Sequence, residues 1–357
     1  MKNPKIVISG YYGFKNAGDE AMLTAILGSL RHSFPQPDIT VISGNPKLTA
    51  EVHEVRSIHR FAFWQIFQSL RKADLFISGG GSLLQDITSW QSLLYYLIII
   101  AMGQLTAKRA MLYAQGIGPI RRHWLRWLTA QVLGRLPVLA VRDGESQEFL
   151  TELGICKSKI RLTADAVFLL PAADRQDGKI LLNRYGLGGE AKVLGVAVRS
   201  WQGDSYLGAL TDALDSLGDA GYKLFLIPFQ YPGDLPVARK LQRALRHDAK
   251  VLDRECTTEE LMSVIGCLDG LVAMRLHALV FAAVMGVPFV ALEYDPKVHG
   301  FVRAVHGATA GRVEDLTTEK ILSAFGEAGE SCEELAGLRL LAEVNNSLAR
   351  DLLAGCE

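Results

Sequence analysis

The sequence predicts an α/β fold built from two Rossmann-like, doubly wound domains, and three observations carry that prediction. Short apolar, β-branched runs alternate with amphipathic stretches along almost the whole chain, the pattern of βαβ units around a parallel sheet. Glycine-rich corners close several of the runs. The 357 residues also exceed one ordinary domain of roughly 100 to 200 residues.

In the first half, the apolar runs at 5–9, 39–43, 75–78, 109–114 and 138–141 read as strands. The stretches 20–33, 63–71, 89–105, 124–134 and 146–153 read as the helices between them. A second series follows, with strands at 193–198, 223–228, 250–252, 270–273 and 288–292 and helices at 206–220, 235–246, 258–265 and 276–285. Between the series, the Pro, Gly and charge content of 173–192 marks a linker. The division is therefore a first domain over 1–172, a second over 193–330 and an acidic C-terminal helix over 331–357, expected to pack back on the first domain. Two such domains facing each other bring the carboxyl ends of both sheets, where ligands bind, to one cleft.

Composition narrows the function classes. Apolar residues make up 49% of the chain and charged ones 21%, which excludes a disordered protein. Lys and Arg number 38 and Asp and Glu also 38, against the basic surplus of a dedicated nucleic-acid binder. That neutrality is a sum of unlike parts. Residues 1–172 hold 19 bases and 12 acids, 173–312 hold 16 of each, and 313–357 hold 3 bases and 10 acids. Such asymmetry points to partners or to internal docking. Cys156, Cys256, Cys267, Cys332 and Cys356 are odd in number and scattered, so neither a disulfide framework nor a zinc site is expected, and a reducing cytoplasm fits. The longest apolar run, 93–103, is about half of the ~20 residues a membrane span needs. It is expected to be a buried helix.

Three strand ends in the first half open into unusual loops: GYYGFKNAGDEAML at 10–23, SGGGSLLQD at 78–86 and AQGIGPI at 114–120. Glycine at a strand-to-helix corner lets backbone N–H groups approach an anion, or serves close packing alone. Asn16, Gly18, Asp19, Gly80, Gly81 and Gln115 are the candidates there. Asp19 either caps the following helix or orients a sugar hydroxyl. No P-loop and no complete G-x-G-x-x-G stands at a strand end.

The second half supplies charge. Arg275 and His277 sit where a strand turns into an apolar helix. A cation at a helix N-terminus works against the dipole and needs a compensating anion, either a bound ligand or a neighbouring acid such as Asp269. Lys297 follows the strand at 288–292, at the same sheet edge, or is an ordinary surface lysine. Arg142 and Arg199 also end strands. Cations converging in this way suit a small, strongly anionic substrate.

The motifs GYYGFKNAGDEAML, SGGGSLLQD, YAQGIGPI, AVRDGES, TADAVF, GVAVR, MRLHAL and EYDPKV, in that order, resemble the polysaccharide pyruvyl transferase family and its CsaB-type members. The resemblance implies a GT-B-like fold and an enzyme that transfers pyruvate from phosphoenolpyruvate to a sugar as a cyclic ketal. For CsaB-type enzymes it implies a lipid-linked disaccharide acceptor, ketalised across the 4- and 6-hydroxyls of a terminal N-acetylmannosamine, and a wall polymer that anchors S-layer proteins. The family's signature falls on Arg275, Leu276 and His277, and its other functional cations fall on Arg142 and Lys297. The donor site is thereby assigned to the second domain and the acceptor to the first.

On this reading Arg275 and Arg142 grip carboxylate and phosphate with guanidinium forks, with Arg199 and Leu276 beside them. His277 gives and takes protons, an imidazole titrating ordinarily near pH 6.5. Lys297 stabilises the leaving phosphate or donates the proton. No metal or organic cofactor is required. The alternatives are a GT-B glycosyltransferase using a nucleotide sugar and a non-catalytic sugar-binding protein. A lipid-linked acceptor would require a meeting with the inner face of the cell membrane. Arg121, Arg122 and Arg126 interleave with Trp124 and Trp127, which suits either a helix on anionic headgroups or one that packs its tryptophans into the core.

Overall fold

The computed structural model describes residues 3–329 and 333–355, the side chain of Glu333 excepted, and resolves into two compact units. Cys332 and Cys356 lie outside the described residues. Met1–Phe14, Asp19–Leu170 and Gly337–Glu357 form the first unit, and Lys15–Gly18 and Pro171–Ala336 the second.

The first unit runs β1 (Lys5–Ser9), α1 (Ala17–Ser33), β2 (Asp38–Ser43), α2 (Pro46–His53), β3 (Arg56–His59), α3 (Phe63–Lys72), β4 (Leu75–Ser78), β5 (Gly81–Leu84), α4 (Trp90–Thr106), β6 (Ala110–Ile117), α5 (His123–Leu133), β7 (Val138–Val141), α6 (Gly144–Glu152) and β8 (Ile160–Leu162). Its strands lie parallel in the order β3-β2-β1-β4-β6-β7-β8, with β5 paired to β6. Strands β1, β4 and β6 are almost wholly buried, as strands covered by helices on both faces must be. The segment 78–86, read from sequence as one loop, contains the short strand β5. The apolar run 93–103 lies within α4, which buries Leu93, Leu97 and Ile100 in one core with Ile66 and Leu70 of α3 and Leu125 of α5. Among the described residues, no helix is long and apolar enough to cross a membrane.

The second unit runs α7 (Arg175–Arg184), β9 (Val193–Ala197), α8 (Leu207–Asp219), β10 (Lys223–Leu226), α9 (Leu235–Ala244), β11 (Ala249–Val251), α10 (Thr258–Ile265), β12 (Gly270–Ala273), α11 (Leu276–Met285), β13 (Phe289–Glu293), α12 (Pro296–Ala304), β14 (Ala308–Arg312) and α13 (Thr318–Glu327). Its parallel sheet has the order β11-β10-β9-β12-β13-β14. The sequence order therefore reverses between β9 and β12, as it does between β1 and β4 in the first unit. Ligands of such sheets bind outside the strands' carboxyl ends at that switch point.

One expected boundary differs, and the tail lies with the first unit. The stretch 173–192 is not a free linker, because α7 occupies half of it and buries Gly178, Leu181 and Leu182. Gly178 donates its N–H to Ser263 Oγ of α10 at 2.6 Å, and a Cβ there would run into the carbonyl of Ser263. The tail is a helix, α14 (Glu333–Ala354), which belongs to the first unit from Gly337 onward. Its fully buried Asn345 accepts from Ala114 N–H and Thr163 Oγ1, each at 3.0 Å, and donates to the Ala164 carbonyl.

Candidate functional site

In the second unit, the loops after four strand ends carry the charged residues. Strand β9 runs on to Arg199, β10 to Gln230 and Asp234, β12 to Arg275, and β13 to Tyr294, Asp295 and Lys297. Arg199 and Arg275 thus flank the β9/β12 switch point, where Ala197 pairs with Ala273. Arg275 is the residue before α11. Its Nε donates to Asp234 Oδ2 at 3.0 Å, and Nη2 donates to Asp234 Oδ1 and, at 3.2 Å, to Gln230 Oε1. Asp234 is buried, so it answers both the helix dipole and the desolvated guanidinium. The acid that pairs with Arg275 is therefore Asp234 and not Asp269, whose carboxylate accepts the backbone N–H of Val193 instead.

Tyr294 reports the local field. Its ring lies 5.0 Å from the Arg199 guanidinium and 5.6 Å from the Lys297 ammonium, and Arg199 Nη1 donates to its hydroxyl at 3.3 Å. Burial alone would raise its pKa, yet Lys297, Arg199 and Arg275 together hold the phenol below its ordinary value. Three cations therefore act on one point at this sheet edge. Lys297 also lies 3.7 Å from Asp295, whose carboxylate caps α12 at the Lys297 N–H.

His277 is the second residue of α11, between buried Leu276 and Ala278. Leu276 packs in the core and offers no polar contact. Gly18 belongs to this same unit, and a Cβ on it would overlap the His277 imidazole. The segment is pinned beside α11 by the Ala17 N–H to Phe229 carbonyl bond of 3.0 Å and a bridge between Asn16 and Gln230. Asn16 Oδ1 accepts the Gly18 N–H at 3.2 Å. Glycine is required here by close approach, since its φ is not in the left-handed region.

In the first unit, the glycine run lies between β4 and β5. Gly81 has φ +101°, and a Cβ on it would stand 3.1 Å from Asp19 Oδ1; a Cβ on Gly79 would strike the Tyr12 hydroxyl. Asp19 is the third residue of α1, in its first turn, so it does not occupy the capping position expected for it. Gln115 is fully buried. Its Nε2 donates to the Gly81 carbonyl at 2.5 Å and its Oε1 accepts from Ser78 at 3.4 Å, so it shapes the loop from beneath. Arg142 is 5% exposed and bonds Asp165 at 2.7 Å and Ser82 Oγ at 2.9 Å, with Asp143 at 3.6 Å. It is a buried ion pair that ties the TADAVF and SGGGS segments together.

Sequence reading did not single out Asp234, Gln230, Tyr294 or Asp165. Tyr294 and Asp165 stood inside quoted motifs. Asp234 follows the Tyr231-Pro232-Gly233 turn at a strand's carboxyl end, which was its available signal.

The structure is similar to Anabaena HepE solved with UDP and glucose, at 14% identity over 99% of this chain and 100% of that one, with a TM-score of 0.66. It is similar to UDP-GlcNAc 2-epimerase from Neisseria meningitidis bound to UDP-GlcNAc, at 10% identity over 98% and 100%, TM-score 0.58. It is also similar to the E. coli ADP-heptose LPS heptosyltransferase II, at 17% identity over 95% and 99%, TM-score 0.52. At such identities the likeness shows the fold alone, that of GT-B glycosyltransferases and epimerases. Sequence comparison with curated proteins finds no match. The family model for polysaccharide pyruvyl transferase, however, matches residues 16–296, a span that runs from Asn16 through His277 to the start of α12. The chain, a transferase, therefore belongs to the polysaccharide pyruvyl transferase family.

Proposed function

We propose that the protein moves the pyruvate of phosphoenolpyruvate onto a sugar as a cyclic ketal, with the 4- and 6-hydroxyls of a terminal N-acetylmannosamine on a lipid-linked disaccharide as acceptor. The product would serve a secondary cell-wall polymer that anchors S-layer proteins. The observation that carries the donor assignment is the placement of the Arg199 guanidinium and the Lys297 ammonium 5.0 and 5.6 Å from the Tyr294 ring, with Arg275 at the end of the strand beside β9. Phosphoenolpyruvate brings a carboxylate and a phosphate on one small molecule, and guanidinium forks match both. Nε and Nη2 of Arg275 are committed to Asp234 and Gln230, so Arg275 addresses the anion through Nη1 and not through a two-pronged fork.

The chemistry sets the roles. A proton delivered to C3 of phosphoenolpyruvate makes C2 electrophilic, and one sugar hydroxyl adds there, releasing its own proton. The C2–O bond to phosphate breaks, the second hydroxyl forms the second C2–O bond, and its proton leaves with inorganic phosphate. His277, held in place by Gly18, is assigned the proton transfers. Lys297 is assigned the departing phosphate. In the first unit, Asp19, Gly80 and Gly81 are assigned to acceptor hydroxyls, as are Asn16 and Gly18 of the second. Gln115 and Arg142 act as positioning residues behind the loop that carries Gly80 and Gly81.

Phosphate release from phosphoenolpyruvate across a panel of acceptors tests the proposal. His277→Ala and Arg275→Ala should each abolish most of it. Near wild-type turnover in both, or release of a nucleotide from UDP- or GDP-sugars in place of phosphate, would overturn it.

A further inference from the structure

One face of the first unit breaks the usual rule that a helix turns its polar side to water. The crossovers β3 to β4, β5 to β6 and β6 to β7 all step the same way across the sheet, so right-handedness lays α3, α4 and α5 side by side on one face. Each buries an apolar stripe in the shared core. Each also exposes apolar residues outward. Trp64 of α3 is 69% exposed, Leu105 of α4 is 82% exposed and Trp127 of α5 is 65% exposed, with Trp90, Ile98 and Trp124 also open to solvent. The tryptophans therefore do not pack into the core. Trp90 and Trp124 meet edge to face at 6.0 Å across α4 and α5, and Trp64 stacks on Phe67 at 5.8 Å, so the patch is ordered.

The charges around it are predominantly basic; the β7 to β8 crossover steps the same way and places α6 on this face as well, where Glu152 lies 3.5 Å from Arg126. Residues 55–141 contain ten Lys and Arg and only two acids, Asp74 and Asp86. Both acids are buried and already paired, Asp74 with Lys108 at 2.7 Å and Asp86 with Arg122 at 3.2 Å. Asp86 also accepts the N–H groups of Arg121 and Arg122, fixing the start of α5. Arg71 and Lys72 at the end of α3, and Arg121 and Arg122 before α5, are exposed.

We propose that this face docks on an anionic lipid bilayer, with the Trp and Leu side chains in the interface and the basic residues on headgroup phosphates. Exposed tryptophan beside uncompensated Arg and Lys is the chemistry of a membrane-surface helix. A second copy of the same face would oppose its own positive charge. The purpose of the docking, access to a lipid-linked acceptor, rests on the function proposed above, but the docking itself does not.

The test is sedimentation of the whole protein with vesicles of equal parts phosphatidylglycerol and phosphatidylcholine, and with phosphatidylcholine alone. Binding is expected to the first, to fall at high salt, and to be weak to the second. Arg71→Glu with Arg121→Glu should weaken it by roughly fivefold or more per residue, and Trp64→Ser with Trp127→Ser should weaken it while leaving its salt dependence in place. Turnover of a water-soluble acceptor should be unchanged in both pairs, and unchanged melting temperatures separate docking from folding. Absent binding to the anionic vesicles, or equal binding by wild type and both paired variants, would overturn the proposal. So would self-association in solution that the tryptophan pair abolishes. A protein that binds vesicles but releases no phosphate would overturn the proposed function and leave the docking standing.

Discussion

Replacing Gly18 by alanine puts a methyl group where the His277 ring now lies. The Cε1 atom of that ring is 2.7 Å from the new carbon, and Nδ1 and Cγ lie closer still. Carbon atoms rest about 3.5 to 4.0 Å apart, so the imidazole must retreat by roughly 1 Å or more. The backbone of Gly18 has little freedom to yield in its place, because Ala17 and Asn16 are bonded to the loop after β10. A misplacement of about 1 Å at a reacting group costs on the order of a hundredfold in rate, whereas overpacking costs about 1–3 kcal/mol in stability. Under the proposed function, Gly18→Ala is therefore expected to lose most of its phosphate release from phosphoenolpyruvate while remaining folded. The double variant with His277→Ala separates this effect from general damage. If Gly18 acts through the ring, the double variant is no slower than His277→Ala alone. Wild-type turnover in folded Gly18→Ala, or losses that multiply in the double variant, would refute the reasoning.

The remaining predictions concern the charges behind the two sheet edges and the tail. Tyr294 should ionise below the ordinary phenol value near 10, a step seen by tyrosinate absorbance and absent in Tyr294→Phe; Lys297→Met should move it upward. Because the folded-state value is the lower one, phenolate stabilises the fold fully above the ordinary value, and that contribution is lost as pH falls through the lowered value. Arg142→Ala leaves Asp165 as a buried carboxylate without its guanidinium and should cost about 3–5 kcal/mol in denaturant unfolding, while Arg142→Lys recovers part of that and cannot span both Asp165 and Ser82. Asn345→Ala strands the buried Ala114 N–H, a loss of about 1–3 kcal/mol, and amide exchange at Ala114 should quicken accordingly.

Strand periodicity and the glycine corners made the two sheets and nearly all central strands legible, because buried parallel strands are continuous apolar runs. The elements missed were those without such a signal. Strand β3 is the polar RSIH and β8 is a three-residue strand, neither with an apolar run. Helix α7 looked like linker because RQDGKILLNR is mostly polar, and only its docking through Gly178 on Ser263 reveals a packed element. At the site, the positions of Arg199, Arg275, His277 and Lys297 at one sheet edge follow from strand ends alone. Their partners do not. Asp234 lies 41 residues from Arg275 in sequence, and nothing in local pattern selects it over Asp269. Gln115 and Arg142 were legible as strand-end residues, but whether such a side chain faces a ligand or the underside of its own loop is decided by tertiary packing.

The charge segregation takes a different meaning once the tail is placed. An acidic tail returning to a basic half suggests an electrostatic clasp, yet the acids are not where such a clasp would need them. Seven of the ten between 313 and 357 precede Gly337 and fall in the second unit, and the part of α14 that joins the first unit carries two arginines, Arg339 and Arg350, against two acids, Glu343 and Asp351. Most of what holds that part is neutral: Asn345 on the backbone of β6, Asn346 on the Ser29 carbonyl and the Ser33 hydroxyl of α1, and the buried Ala342, Ala349 and Leu353, while Arg339 and Arg109 add bonds to the uncharged Leu170 and Gly355 carbonyls. Screening by salt should therefore leave the helix in place, since screening weakens exposed charge pairs and not buried amide bonds. The same neutrality leaves the basic surplus of the first unit unspent by its own tail. Of the ten bases of 55–141, Arg56, Lys108, Arg122 and Arg126 pair with Asp38, Asp74, Asp86 and Glu152, and the surplus of the span remains as net positive charge on the unit that carries the exposed tryptophans, which is where an anionic surface would find it.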